Sequence, residues 1–417
     1  MNQSDPVKND SDPNAISIEQ AKKRILAKLT PCTDHESIDS AQAWGRVCAE
    51  DVLTTIDVPS FRASAMDGYA VRVSECSQQL QVHGSSLAGH PGDDRMPGNT
   101  AQRITTGARV PDDADAVVQH ENTTLDNNNL VINVLPAPGL HIRPPGSDTC
   151  AGSKLLQAGD LIGPAEQALL ASQGILRINV RRKLRIAVFS TGDELVEPGE
   201  KRKTGQINDA NRSLLLSMLN EPMLELIDLG IAADSHSALQ AIINATDNAD
   251  LVISSGGVSV GEADHVKAIL ENNGSMDLWK VAMKPGRPLT FGFLGKDKAL
   301  FGLPGNPVSA AITCLLFVRP AINYLCGTPT VDIPPMHLPL KGILRKNPGR
   351  VEYQRARLIK DDNGRWLVTT TGVQDSHVLQ SLHKANCLIE LSIDSAGAAE
   401  GDLVPVYPFT HFSRSPL

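Results

Sequence analysis

Three cations crowd one short stretch of the chain: Lys280, Lys284 and Arg287 lie between Trp279 and Pro288. Ammonium groups act as point charges for oxyanions, and a guanidinium can hold two oxygens at once. Lys280 and Lys284 are an even number of residues apart, so on an extended strand they share one side. A solvated basic edge is the competing reading. A second stretch, Ser190-Thr191-Gly192-Asp193-Glu194, offers a hydroxyl and two carboxylates. Carboxylates beside a phosphate loop hold Mg2+, which keeps most of its waters and bridges to ligand phosphates. A plain acidic turn is the alternative. Asp234 and Asp264 can join the same acidic group as metal ligands, although each taken singly reads as a helix cap.

Two loops add backbone chemistry. Leu251 to Ile253 has the length and branching of a buried parallel strand, and Ser254, Ser255, Gly256 and Gly257 end it. Ser259 and Gly261 follow, and from Glu262 the pattern Val266, Ile269, Leu270 is helical. Strand, glycine loop and helix bind phosphates in α/β proteins because helix N-terminal amides and their dipole favour anions. A strand-to-helix turn without a ligand is equally open. The turn Pro304-Gly305-Asn306-Pro307 before an apolar helix divides the same way, between an anion-facing turn and a rigid helix start. The spacing Gly257-Val-Ser259-Val-Gly261 also fits a serine-hydrolase elbow. Ser259 does not stand at the immediate strand end, however, and no Asp and His partners single themselves out. The chain has no P-loop lysine motif and no G-x-G-x-x-G fingerprint, and its histidines lack metal-ligand spacing.

These residues need strands to carry them to one edge. After Arg181-Arg182-Lys183 the pattern alternates: strand Leu184 to Phe189, helix Arg212 to Leu219, strand Leu224 to Leu229, helix Ala238 to Ala245, strand Leu251 to Ile253. Repeated strand-then-helix units imply a mostly parallel sheet in a central, doubly wound α/β domain, with ligands at the strands' carboxyl ends. Upstream, Ser17 and Gln20 form a capping box ahead of Ile18, Ala21, Ile25 and Leu29, an amphipathic helix that Pro31 ends. Short apolar runs then mark a β-rich stretch, and Pro164 and Gly174 bracket a further helix. A β domain inserted into a helical one is the economical arrangement. Beyond the proline-rich stretch from Pro329 to Pro339, alternating runs around Asp362-Asn363-Gly364 imply a small β-barrel-like domain. The expected division is a disordered tail at 1–14, a linking domain at 15–58 and 147–180, the inserted β domain at 59–146, the α/β domain at 181–328 and the C-terminal β domain at 329–417.

A net charge of -8 and the lack of a basic run with interleaved aromatics exclude a nucleic-acid footprint. Seven cysteines without a C-x-x-C pair suit free thiols in a reducing cytoplasm. Met1 to Asn14 has no apolar core, so neither a signal peptide nor a membrane anchor is expected. The apolar run Ala310 to Val318, ending at Arg319-Pro320, reads as a buried helix.

Five stretches in order, Ser64-Ala-Met-Asp-Gly-Tyr-Ala70, Phe189 to Glu194, Ser254 to Asp264, Lys284-Pro-Gly-Arg-Pro288 and Gly302 to Ser309, resemble the bacterial molybdopterin molybdenumtransferases and the E domain of gephyrin. The resemblance runs from about Ser17 to Phe409. It implies that molybdate and adenylated molybdopterin are converted to molybdenum cofactor and AMP, with Mg2+ required. It implies a homodimer whose active site joins the α/β domain of one subunit to the β-rich domain of the other. Transient contact with a molybdopterin adenylyltransferase and with molybdoenzyme maturation proteins is implied as well. Carried over residue by residue, the catalytic positions are Asp67, Thr106, Asp148, Glu194, Asp234, Asp264, Lys280, Lys284, Arg355 and Ser376. Substrate contacts fall on Ser255, Gly256, Gly257, Ser259, Gly261, Arg287, Pro304, Gly305, Asn306 and Pro307, and metal contacts on Glu194, Asp234 and Asp264. Arg62-Ala63, Ser147 and His265 depart from the family's usual residues. A binding scaffold, as in gephyrin, or an adenylyltransferase-like accessory protein is the alternative class. The lack of an attached second α/β domain and the retained carboxylates and lysines argue against it.

Overall fold

The computed structural model of the chain describes residues 9–256, 274–295, 297–329 and 334–409. The sheet that carries the expected chemistry has six strands: β1 (Leu184–Thr191), β2 (Leu224–Ala232), β3 (Leu251–Ser255), β4 (Gly274–Lys280), β5 (Pro288–Leu294) and β6 (Lys298–Leu303), in the order β2-β1-β3-β6-β5-β4. The first four in that order run parallel, and β5 and β4 complete the sheet antiparallel. Its central strands are apolar on both faces, as a sheet covered on both sides requires. Leu184, Ile186 and Val188 enter one core together with Leu215 and Phe317, while Ala187 and Phe189 enter another with Leu239. Helices Asn211–Met218 and His236–Ala245 therefore cover opposite faces, the doubly wound arrangement expected.

Among the described residues the longest helix runs from Pro307 to Leu325. The sequence led us to expect its end at Arg319-Pro320, yet it continues through the proline. A π segment, Cys314–Val318, stands immediately before and adjusts the hydrogen-bond ladder to the missing N–H. By length and composition this helix could cross a membrane, but 83% of its most apolar window is buried inside the protein, which makes it a core helix.

The first helix, Ile18–Leu26, has the expected Ser17–Gln20 capping box. Sequence grouped it with residues 147–180; instead it buries Ile18, Ala21 and Ile25 in the α/β core against the Pro307–Leu325 helix. Residues 35–53 and 154–181 form a separate core around Cys48, Ile162, Leu170 and Val180, with His35–Asp39 antiparallel to Arg177–Arg181. The chain leaves and re-enters this region side by side, at the Val58–Thr149 bridge. Between the two crossings lies a six-stranded sheet that includes Gly68–Val71 and Thr100–Ile104. Near the C-terminus, Val351–Lys360, Cys387–Leu391, Leu403–Pro408 and Met336–Pro339 pair in turn. The Leu340–Val368 bridge and strand Trp366–Thr370 close the ring, as a barrel-like domain demands.

The sequence also placed residues 1–14 in a disordered tail; residues 1–8 lie outside the described residues, and over 9–14 the structure differs. The Asp10 N–H donates to Pro348 O, the Asp10 carboxylate pairs with Arg350, and Asp12 pairs with Arg287. Two aspartates meeting half-buried arginines hold this segment in place.

Candidate active site at the carboxyl edge of the sheet

The ends of β1, β3 and β6 are adjacent in the sheet, so the three loops that follow them converge. Gly256 holds the closest approach. Its φ is +86°, and a Cβ there would lie 2.6 Å from Thr191 O, so only glycine fits without displacing the neighbouring strand end. Its N–H donates to Leu303 O at 3.1 Å, and its Cα lies 4.0 Å from where a Cβ on Gly305 would stand. Asn211, the first residue of its helix, ties two of these loops. Its Nδ2 donates to Ser255 Oγ at 2.9 Å and to Gly305 O at 2.7 Å.

The carboxylates are organised by short local bonds. The Thr191 hydroxyl donates to Asp234 Oδ1 at 2.6 Å, and the Asp234 N–H donates to Asp193 Oδ1 at 3.0 Å. At Gly192, φ +147°, a Cβ would collide with the Glu194 carboxylate, so the glycine lets that side chain fold back over the turn. Asp193, Glu194 and Asp234 are all exposed. Glu194 and Asp234 are oxygen donors that suit a hard cation, and Mg2+ needs only one or two carboxylates beside waters and ligand phosphates. These two residues therefore fit the ion the family resemblance implies, although no group of three metal-ligating side chains converges among the described residues. Asp264, expected as the third ligand, lies outside the described residues, as do Gly257, Ser259, Gly261, His265 and the helix expected after Gly261.

The cationic residues are placed by elements beyond this sheet. Val281 and Met283 are buried while Lys280 and Lys284 are exposed, the shared side expected from their spacing. Met283–Lys284 pairs in parallel with Val351 and Glu352, which makes the lysine part of an edge strand of the C-terminal sheet. There Lys284 Nζ stands 3.4 Å from Glu352, whose side chain is only 7% exposed. Lys280 is 3.7 Å from Asp12, and Arg287 pairs with the same carboxylate, so both already face an internal anion.

A second segment of the C-terminal domain, around Ser376, also reaches the site. Asn306 Nδ2 donates to Ser376 Oγ at 3.0 Å, and the Val308 N–H donates to Ser376 O. Arg355, expected among residues that touch substrate, is buried at 1% exposure, and its guanidinium donates to Ser381 Oγ and Asp375 O. Burial lowers its pKa to about 10. It holds the segment that carries Ser376 and reaches the loop edge only through it.

Asp67 and Thr106 meet in the β-rich region. The Thr106 N–H and hydroxyl both donate to Asp67 Oδ1, at 2.6 and 2.9 Å, and the backbone bond above all holds the Asp67 carboxyl below its ordinary pKa. Asp148 is exposed, and its N–H donates to Val58 O. Among the described residues, no hydrogen bond or ion pair joins Asp67, Thr106 or Asp148 to the sheet edge within one chain. Sequence reading missed Asn211 and Glu352. The first was legible only as a polar residue at a helix start, and the second carried no local signal.

Known proteins resemble this chain in sequence and overall fold. A family model described as the MoeA N-terminal region (domain I and II) matches residues 16–174. A probable molybdopterin binding domain matches 187–324, and the MoeA C-terminal region (domain IV) matches 337–409. The chain is 41% identical over 402 residues to a molybdopterin molybdenumtransferase of Haemophilus influenzae, covering 95% of this chain and 99% of that one. It is 32% identical to gephyrin of Dictyostelium discoideum, covering 95% of this chain and 62% of that protein. A solved molybdopterin biosynthesis MoeA protein from Pyrococcus horikoshii superimposes with a TM-score of 0.80 at 27% identity, covering 94% of this chain and all of that one.

Proposed function

The chain belongs to the molybdopterin molybdenumtransferase family, and from that premise we propose that it inserts molybdenum from molybdate into adenylated molybdopterin, with release of AMP. One observation carries the reading: the turns after β1, β3 and β6 and the carboxylate of Asp234 meet at a single edge, where backbone amides, hydroxyls and carboxylates stand together. A pyrophosphate-bearing ligand and a metal bound to it need that combination.

The residues divide the work by charge. Lys284 offsets the charge of the molybdate dianion, and the closely packed Ser255–Gly256 and Pro304–Pro307 loops receive phosphate oxygens. Thr191 holds the Asp234 carboxylate in one orientation, and Asn306 and Ser376 fix the turn against the C-terminal domain. Magnesium, held by Glu194 and Asp234 with Asp264 as the expected third ligand, would polarise phosphorus and stabilise AMP as it leaves. Lys280 and Arg287 serve the ligand once it displaces Asp12. Asp67, Thr106 and Asp148 act across a homodimer, each site combining the α/β edge of one subunit with the β-rich region of its partner.

The free cysteines, buried at Cys48, Cys76, Cys314, Cys326 and Cys387, support a reducing, cytoplasmic setting. A molybdopterin adenylyltransferase that supplies the adenylated pterin and maturation proteins that take up the cofactor are the transient partners. The likeness to gephyrin supports one second reading, a molybdopterin-binding scaffold. Purified protein incubated with adenylated molybdopterin, molybdate and Mg2+ distinguishes the two. AMP release supports the transferase, and tight pterin binding without AMP supports the scaffold.

A further inference from the structure

Asn211 is anchored before it reaches the site. It opens a helix whose next residue, Arg212, is buried and pairs with Asp209, Asp228 and Glu197. Asp209 also accepts the Arg212 N–H in the first turn of that helix, at 3.1 Å. A guanidinium facing three carboxylates fixes the helix start on strand β2 and the turn after β1. Asn211 is thus delivered on a rigid base, as a preorganised site requires.

Hydrogen-bond logic then fixes the direction of each contact. Gly305 O can only accept, so the Asn211 side-chain atom facing it is Nδ2. The same nitrogen meets Ser255 Oγ, and that hydroxyl therefore accepts from Asn211. The Ser255 proton turns away from Asn211 and finds no acceptor among the described residues, although the side chain is buried at 2% exposure. A buried hydroxyl proton is costly to leave unpaired, and a ligand at this edge can accept it.

We propose that Asn211 is a positioning residue for the ligand phosphate. By donating to both Ser255 Oγ and Gly305 O it sets the spacing between the Ser255–Gly256 strand end and the Pro304–Pro307 turn. By donating to Ser255 Oγ it makes the serine a donor toward a phosphate oxygen of the nucleotide ligand. The inference rests on the transferase reading only for the identity of that ligand.

The test uses full-length protein and adenylated molybdopterin, with binding measured at equilibrium and AMP release measured separately. Asn211→Ala and Ser255→Ala should each weaken binding by about tenfold, and the double variant should lose little more, because the two side chains act as one unit. Asn211→Asp cannot donate when ionised and should bind more weakly than Asn211→Ala at neutral pH. Thermal melting reports any loss of folding separately from these ratios. Binding by Asn211→Ala within about twofold of wild type, or fully multiplicative effects of the two substitutions, would overturn the proposal. Wild-type protein that binds the ligand without releasing AMP would overturn the transferase reading and leave the Asn211 binding ratios decisive for the proposal. Wild-type protein that does not bind the ligand would overturn both.

Discussion

The Thr191 hydroxyl donates to Asp234 Oδ1 at 2.6 Å, tying together the ends of two neighbouring parallel strands. The bond commits one oxygen of the carboxylate to the protein and leaves the other for a ligand. Replacing Thr191 by Val keeps the shape and removes the donor. A partner that orients a metal-binding carboxylate typically contributes tenfold or more to metal affinity. Thr191→Val should therefore raise the Mg2+ concentration for half-maximal AMP release by about tenfold, read from a Mg2+ titration. An unchanged titration curve would remove Thr191 and Asp234 from the metal site.

Lys284 and Glu352 call for substitutions of opposite sign. Lys284→Ala removes a cation that is half exposed at the site and should raise the molybdate KM by about tenfold or more. Glu352→Gln frees that cation from its counter-ion and should tighten molybdate binding by about threefold at low salt. The same change removes one of the two carboxylates, Glu352 and Asp375, whose charge favours the buried Arg355 guanidinium, so stability should fall by on the order of 2 kcal/mol. Molybdate titrations and thermal melts on both variants separate the two effects.

Asp67 and Glu194 test the shared site of the homodimer. Asp67→Ala and Glu194→Ala should each abolish AMP release when assembled alone. Subunits of the two variants, mixed and re-associated at random, would form mixed dimers with one intact site each and should regain about a quarter of wild-type activity. Mixtures as inactive as their parents would place both residues in the site of the same subunit.

Asp250 governs acid stability at the start of β3. Burial alone would raise its carboxyl, but hydrogen bonds from Arg182 and Arg185 outweigh that and hold it below the ordinary carboxylate range. A carboxyl depressed in the folded state stabilises fully above its unfolded value of about 3.9, and that contribution is lost as pH falls through the lower folded value. Asp250→Asn should lower stability at neutral pH and flatten its decline below about pH 4. Denaturant melts across that range check the slope.

The parallel strands, the amphipathic first helix and the closing β ring could be read from sequence because each rests on local periodicity. The loops at Thr191, Gly256 and Gly305 were legible too, since glycines and prolines at strand ends restrict the backbone wherever they occur. What sequence could not supply were partners distant along the chain. The counter-ion Glu352 meets Lys284 only because a two-residue edge strand pairs with the C-terminal sheet. The packing of Ile18–Leu26 against the Pro307–Leu325 helix depends on which core accepts its apolar face, and periodicity is silent about that choice. Arg355 illustrates the converse: a position carried over by resemblance is buried, and its guanidinium supports the Ser376 segment.

The most direct measurement follows AMP formed from adenylated molybdopterin by the purified wild-type protein in the presence of Mg2+, with and without molybdate. Formation of AMP together with molybdenum cofactor, with Asp234→Ala inactive and Lys284→Ala needing far more molybdate, is the expected result. AMP formation that ignores both molybdate and these substitutions, or its absence despite tight pterin binding, would contradict the assignment of this edge as the site of molybdenum insertion.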